Sequence, residues 1–426
     1  MVIRLRARSS RIVLSSMMML SFLLASWAVL RPWIAQRAAS GQAVDAARRA
    51  LAIDPGNGRI LATLATLYHY SLLLRDYPAA LITYRSILRG NPLDGVSWLH
   101  LGKLYERLGQ RSEADQAFRL AVHLDPSNSA LLWEIAVAYL DQEQAPNTLD
   151  TLARFLSTAN NPSDLTKGYE LARRLLPAEE VLNTVIPSTI PHYTRYAHYL
   201  LDRNLGDQAL AVWSRLHEMA TRTGEPIDPQ LQLRVVDFFI LTNQLGPARQ
   251  LWTTVTKQIA FDSAPTESNL VSNGSFERDA TVGRGFDWKI AGAPGVAAAF
   301  DSFMAYTGRR SLRLSFTKSR ADFSNVSQLI PVQADSTYVL VAHIKTKGLD
   351  GSPGIKLEVI DSSHGAVART DPVGATRDWT TVGLRFRTLE HSPTVTLRIH
   401  GEPPPAYMPP LSGSAWIDNV SLTKVE

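Results

Sequence analysis

Three hydrophobic patterns follow one another along the chain. From Ile12 to Leu30 nineteen residues carry no charge. Through the middle, apolar and small residues recur at helical spacing, as in Trp98, Leu101, Gly102 and Tyr105, then Ala114, Phe118 and Ala121; offsets of three, four and seven put them on one helix face. Further on the period becomes two. Ser311 to Phe316, Tyr338 to Thr346, Ile355 to Ile360, Thr381 to Thr388 and Thr394 to His400 alternate apolar and polar residues between Gly, Pro, Asn and Asp. Such alternation predicts an antiparallel β-sandwich or jelly roll. At 426 residues the chain is too long for one core. The patterns predict a multidomain α-then-β protein: a basic cytoplasmic segment 1–11, a transmembrane signal-anchor helix 12–30, helical repeats over 41–260, a polar linker 261–268 and a sandwich over 269–426.

At helical rise the charge-free run reaches about 28 Å, close to the hydrocarbon thickness of a bilayer. Four Arg precede it, and only Arg31 and Arg37 follow closely. This bias keeps the N-terminus cytoplasmic, giving a single-pass inner-membrane protein with its bulk periplasmic or extracytoplasmic. A cleaved signal peptide, ending near Ala38-Ala39-Ser40, and a peripheral helix are the alternatives. The net charge of +5 is local: residues 1–49 hold eight Arg against Asp45 alone, +7, which leaves −2 for the rest. No nucleic-acid partner is therefore expected for the folded part. The absence of cysteine excludes disulfides, thiolate metal sites, cysteine nucleophiles and a lipid-modified cysteine.

In the middle region Trp98, Leu101, Gly102, Tyr105, Ala114, Phe118, Ala121 and Pro126 fall on one 34-residue pattern, so that Gly95 to Asn128 resembles a tetratricopeptide repeat. Gly102 and Ala114 are small where two helices cross, and Pro126 stops the second helix. One unit back, Pro92, Ala80, Tyr84 and Ile87 occupy matching positions, and a half unit with Ala43, Ala47, Ala50 and Pro55 precedes it. One unit forward, Leu132, Ile135, Ala136, Tyr139 and Phe155 fit. Ala209 with Trp213 and Ala248 with Trp252 read as second helices of two degenerate units. The resemblance implies a superhelix whose groove, lined by first helices, takes a protein partner; a rigid spacer is the alternative. His100, Lys103, Arg107, Trp133 and Glu134 are the candidate partner-binding residues.

The last region opens with Asn273-Gly274-Ser275-Phe276-Glu277 and closes with Trp416-Ile417-Asp418-Asn419-Val420-Ser421-Leu422. By this pair it resembles the carbohydrate-binding modules appended to xylanases and cellulases, over roughly Asn269 to Glu426. The resemblance implies that first and last strands lie together. It also implies a structural Ca2+ held by Glu277 and Asp418 with backbone carbonyls near the turn Gly308-Arg309-Arg310-Ser311-Leu312. Calcium takes six to eight oxygens, and Arg309-Arg310 bring positive charge close by. The two acids could instead pair with arginine or cap backbone amides.

A sugar site needs aromatic platforms beside oriented polar groups. Phe276, Tyr338, Phe386 and Trp416 read as framework, Trp288 and Trp379 as packing or platform, and Phe323 and Tyr407 as platforms. If Tyr338, Leu340, Ala342 and Ile344 point inward, His343 and Lys345 point out; if Leu357, Val395, Leu397 and Ile399 point inward, Glu358, Arg398 and His400 point out. These five are expected to share a concave face that binds a polysaccharide, with Tyr407 arriving on the loop from Gly401. An ordinary solvated sheet face is the alternative.

The ten His are scattered, and His192 and His198, six apart, do not share a helix face. No metalloprotease, nucleophile-elbow, phosphate-loop or dinucleotide motif occurs, and Glu277, Glu358 and Asp418 show no convergent pairing of the kind glycoside hydrolysis needs. The expected function is non-catalytic: a membrane-anchored envelope protein that binds a cell-surface or secreted polysaccharide through its sandwich and a protein partner through its repeats, in polysaccharide assembly or export. The alternative is a structural scaffold whose sandwich no longer binds sugar.

Overall fold

The computed structural model describes residues 17, 19–27, 30–32, 34, 44–258, 269–278, 283–350, 353–361 and 365–425. The expected segment 1–11, part of the expected membrane helix and the expected linker 261–268 lie outside them. Of the run 12–30, the described residues are helical and mostly exposed. Among the described residues no helix is long and apolar enough to cross a membrane. The chain divides into two compact units, 1–192 and 193–426.

The first unit is a series of helices: α1 (Val44–Ile53), α2 (Gly58–Tyr70), α3 (Tyr77–Gly90), α4 (Gly95–Arg107), α5 (Arg111–Leu124), α6 (Ser129–Asp141), α7 (Ala145–Thr158), α8 (Pro162–Leu175) and α9 (Ala178–Thr184). A four-residue connection recurs between hairpins: Asp54-Pro55-Gly56-Asn57, Asn91-Pro92-Leu93-Asp94 and Asp125-Pro126-Ser127-Asn128. Proline cannot continue the preceding helix. The fourth residue caps the next one, Asn57 accepting from Ile60 N, Asp94 from Ser97 N and Asn128 from Leu131 N, each cap contributing about 1 kcal/mol. Gly102 is required by contact, since a Cβ there would lie 2.6 Å from the Phe118 ring. Tyrosine hydroxyls link successive hairpins: Tyr68 accepts from Arg48, Tyr105 accepts from Arg85, and Tyr139 donates to Asp115.

The second unit takes most of α10 (Ile190–Asp202), then α11 (Gly206–Thr223), α12 (Pro229–Leu241) and α13 (Leu245–Gln258). Ala209, Trp213, Ala248 and Trp252 are buried, as the degenerate repeat pattern predicts. The sandwich follows in ten strands: β1 (Lys289–Ile290), β2 (Val296–Asp301), β3 (Ser311–Ser319), β4 (Phe323–Pro331), β5 (Thr337–Leu349), β6 (Ile355–Asp361), β7 (Gly365–Arg369), β8 (Ala375–Arg387), β9 (Thr394–Gly401) and β10 (Leu411–Lys424). One sheet runs β1-β4-β9-β6-β7 and the other β2-β3-β10-β5-β8. Between them lie Phe276, Trp288, Leu314, Tyr338, Leu357 and Ile417, among others; each large side chain buried there contributes about 1.5–3 kcal/mol.

All five alternating runs became strands. The opening motif did not. Asn273 to Glu277 is an irregular turn lying along β10, where Val420 N donates to Gly274 O and Leu270 N to Leu422 O. A side chain at Gly274 would sit 1.9 Å from Val420 O, so only glycine allows this approach. The helices also touch the sandwich. Asp237 on α12 accepts from Gly285 N and Arg284, Phe286 meets the Trp252 ring edge-on at 6.1 Å, and Leu329 of β4 packs into the same cluster.

Candidate functional sites

In the first unit α4 and α6 place Lys103, Arg107 and Glu134 around a cavity of about 340 Å³ that also takes in Tyr70 and Glu106. Lys103 Nζ lies 2.5 Å from Glu134 Oε2. His100 stands beside it, its Nδ1 3.1 Å from Tyr70 Oη and its ring stacked near Tyr84. Trp133 is turned toward the next repeat, where it meets Phe155, and Lys167 Nζ is 4.8 Å from its ring. The groove thus mixes both charge signs with aromatic surface. A second cavity, of about 680 Å³, opens among α11, α12 and α13, lined by Trp213, His217, Ile227, Phe239 and Leu251. It lies past the point where the repeat pattern fades, and no motif points to it.

On the sandwich the seven expected sugar-site residues separate into three groups. Phe323 is wholly buried against Phe316 and cannot serve as a platform. A bulge in β4 between Phe323 and Val326 shifts its phase and turns the ring inward. His343 and Lys345 belong to β5, whereas Glu358, Arg398 and His400 belong to β6 and β9 of the opposite sheet. Both groups point outward, but from opposite faces. The expected common site therefore does not form, because alternation gives in or out and not which sheet.

Glu358, Arg398 and His400 do come together on the first sheet. Glu358 is 2% exposed, yet Arg398 meets it with Nε at 2.8 Å and Nη2 at 2.7 Å, His400 Nδ1 stands at 2.9 Å and Lys356 Nζ at 3.5 Å. Burial pushes its carboxyl up, but the contacts and charges of His400 and Arg398 outweigh burial and hold it below its ordinary value. His400 Nε2 continues to Asp322 at 2.8 Å, and Lys356 to Glu402. Glu402 begins the loop to Tyr407, which is 83% exposed and is tied down where Arg320 donates to Met408 O. Among the described residues no strand of this sheet presents a Phe, Tyr or Trp ring outward.

Glu277 and Asp418 converge on the loop before β3. Asp418 is fully buried and accepts from Tyr306 N and Thr307 N through Oδ2 and from Asn419 N through Oδ1. Glu277 Oε1 accepts from Arg309 N and Arg310 N. Burial raises the Asp418 carboxyl above its ordinary value; the backbone donors oppose this, and the Glu277 charge adds to it. Among the described residues no cluster of three or more His, Cys, Asp or Glu could hold a metal.

The outer face of the second sheet carries aromatic groups that the sequence reading did not assemble. Tyr306 stacks on His343 with centroids 3.6 Å apart and planes 14° apart, and meets Trp379 at 5.7 Å. Trp416, buried as expected, lies on this outer face and outside the core cluster; its Nε1 donates to Asp301 at 2.8 Å.

Residues 268–406 match the model of a carbohydrate binding domain, and residues 96–128 that of a tetratricopeptide repeat. Among curated proteins, the cytochrome c-type biogenesis protein CcmH of Escherichia coli strain K12 is 28% identical over 132 residues, 31% of this chain and 31% of its own length. Anaphase-promoting complex subunit 3 of Schizosaccharomyces pombe is 26% identical over 118 residues, 27% of this chain and 17% of its own. The chain therefore spans less than a third of these relatives. Among solved structures, a CBM4 module is 14% identical, with 36% of this chain and 99% of that one covered and a TM-score of 0.29. A CBM61 module in complex with beta-1,4-galactotriose is 17% identical, with 37% and 99% covered and a TM-score of 0.28. The chain joins tetratricopeptide repeats to a carbohydrate-binding domain.

Proposed function

We propose that this protein is a non-catalytic, membrane-anchored polysaccharide binder, with its bulk on the extracytoplasmic side. Its repeat groove holds a protein partner of a polysaccharide assembly or export system. The observation that carries the reading is the family match over 268–406 together with the network of Glu358, Arg398 and His400, which ends at the exposed Tyr407 loop. On the first sheet, Arg398 and His400 donate toward sugar hydroxyls while Tyr407 stacks against a ring face. The charge-free run Ile12–Leu30, with its arginine flanks, supports the anchor. Lys103, Arg107, Glu134, His100 and Trp133 are the proposed contacts for the partner.

A structural calcium belongs to the same reading, held by Glu277 and Asp418. Two adjacent acids, one buried with a raised pKa, gain from a cation, and Glu277 Oε2 has no hydrogen bond of its own among the described residues. The decisive experiment is binding of the full chain to a glycan array and to polysaccharide gels. Binding that Tyr407→Ala weakens is the expected result, and no binding to any glycan overturns the reading. Calcium should raise the Tm and a chelator lower it; an unchanged Tm together with no heat on titration removes the metal.

A further inference from the structure

The second sheet's outer face holds an open groove of about 820 Å³. Arg313, Trp416 and Lys345 are register partners on β3, β10 and β5, so the two cations stand on either side of the indole with Cα atoms about 10 Å apart. Lys347, two residues along β5, pairs in register with Ser414 and lies about 7 Å from Lys345. Arg313 is held in place: its guanidinium is 5.4 Å from the Trp416 centroid and 3.2 Å from Ser414 Oγ, and 3.7 Å from the Asp301 carboxylate that fixes the indole.

The two lysines are available. Lys345 pairs with Asp378, but that aspartate side chain is 83% exposed, and exposed pairs contribute only about 0–1 kcal/mol. Lys347 is exposed and makes no ion pair among the described residues. Among the described residues no acid lines the groove itself. Further along the same face, two residues from Lys345, His343 supports Tyr306, which stays 43% exposed on a rigid base. An acidic peptide would satisfy the cations but leave the held ring without a purpose. A sugar bearing carboxylates uses both: its anions take charge-assisted hydrogen bonds from Lys and Arg, and its ring face covers the tyrosine.

We propose that this face is a second glycan site, specific for a carboxylate-bearing polysaccharide, with Arg313, Lys345 and Lys347 pairing with the carboxylates and Tyr306 stacking beneath a sugar ring. The site rests on the carbohydrate-binding reading of the domain but uses the opposite sheet. There the cations face solvent, whereas the Glu358 network satisfies its own charges.

The test is titration of the full chain with polygalacturonate and with its methyl-esterified form. The acid form is expected to bind, at least tenfold tighter than the ester, with affinity falling as salt rises. Lys347→Ala, Lys345→Ala and Tyr306→Ala are each expected to weaken it by about tenfold. Equal binding of acid and ester overturns the proposal. So does loss of polygalacturonate binding in Tyr407→Ala with Lys347→Ala unaffected, an outcome that moves the ligand to the first sheet and leaves the carbohydrate-binding reading standing. Binding of a neutral glycan with none of polygalacturonate overturns the acidic site alone; no binding to any glycan overturns both.

Discussion

In the first unit His69 is 1% exposed and neither of its ring nitrogens has a hydrogen-bond partner, whereas in the sandwich Glu358 is 2% exposed and three side chains surround its carboxylate. The histidine sits among rings, stacked on Tyr70 and edge-on to Tyr77 and Tyr84. Burial lowers its pKa to about 4, and the charges of Arg107, His100 and Lys103 push the same way. A titratable group buried among rings keeps its place by staying neutral; one buried within reach of opposite charges keeps it by staying charged. The difference follows from the architecture. Helix backbones satisfy themselves and pack through apolar stripes, while neighbouring strands present side chains about 5 Å apart on one face, where ion pairs assemble.

The largest effect is expected from breaking the sandwich network. Arg398→Ala leaves a buried carboxylate short of its main partner and should cost about 3–5 kcal/mol in denaturant unfolding, and replacing Arg398 and Glu358 together by apolar residues should restore much of it. A single substitution as mild as a surface change would remove the contrast with His69. For this reason Tyr407→Ala is the cleaner probe of sugar binding.

Acid separates the two groups next. His69 takes up a proton in the unfolded chain near pH 6.5 and in the folded one only near pH 4, so its stabilisation is complete above 6.5 and is lost as pH falls toward 4, a change of about 3 kcal/mol. Hydrogen exchange in α2, α3 and α4 should show that slope, and His69→Phe should flatten it. Glu358, held below 4.5, keeps its stabilisation down to about pH 4.5 and loses it as pH falls from there through its folded value. If the β6 and β9 amides around Glu358 lose protection together with the repeats between pH 6.5 and 4.5, the distinction fails.

Packing gives a smaller effect. Gly102→Ala would press a methyl group against Phe118 and should cost about 1–3 kcal/mol, read as a lowered Tm of the repeats with the sandwich unchanged. Smallest of all, Tyr407→Ala should leave stability within about 0.5 kcal/mol, as befits an exposed ring. A larger loss would mean that the loop is structural and not presented for binding.

The helices were legible because each hairpin repeats the same local instructions: a proline stop, an Asx cap two residues after it, and small residues at the crossing. Five strands were legible from alternation alone. β4 was missed, since its bulge breaks the period at Phe323, and so was the turn conformation of Asn273 to Glu277, which depends on the close approach of β10 to Gly274. The candidate partner-groove residues were named from their place on first helices, and Lys103, Arg107 and Glu134 share a cavity. His343, Lys345, Glu358, Arg398 and His400 lie on outward strand phases, but of two different sheets.

By itself, then, the sequence determined what is encoded within a few dozen residues: the repeat period, the caps, the strands and which side chains leave the core. Tertiary structure decided the rest. It set β5 in one sheet and β6 and β9 in the other, turned Phe323 inward, gathered Arg398, His400 and Glu402 around Glu358 and Lys356, and brought Tyr306 onto His343. Each of these joins residues tens of positions apart across strands whose order in the sheets differs from their order in the chain. Periodicity fixes the phase of a side chain along its own strand, while pairing between distant strands fixes what that side chain meets.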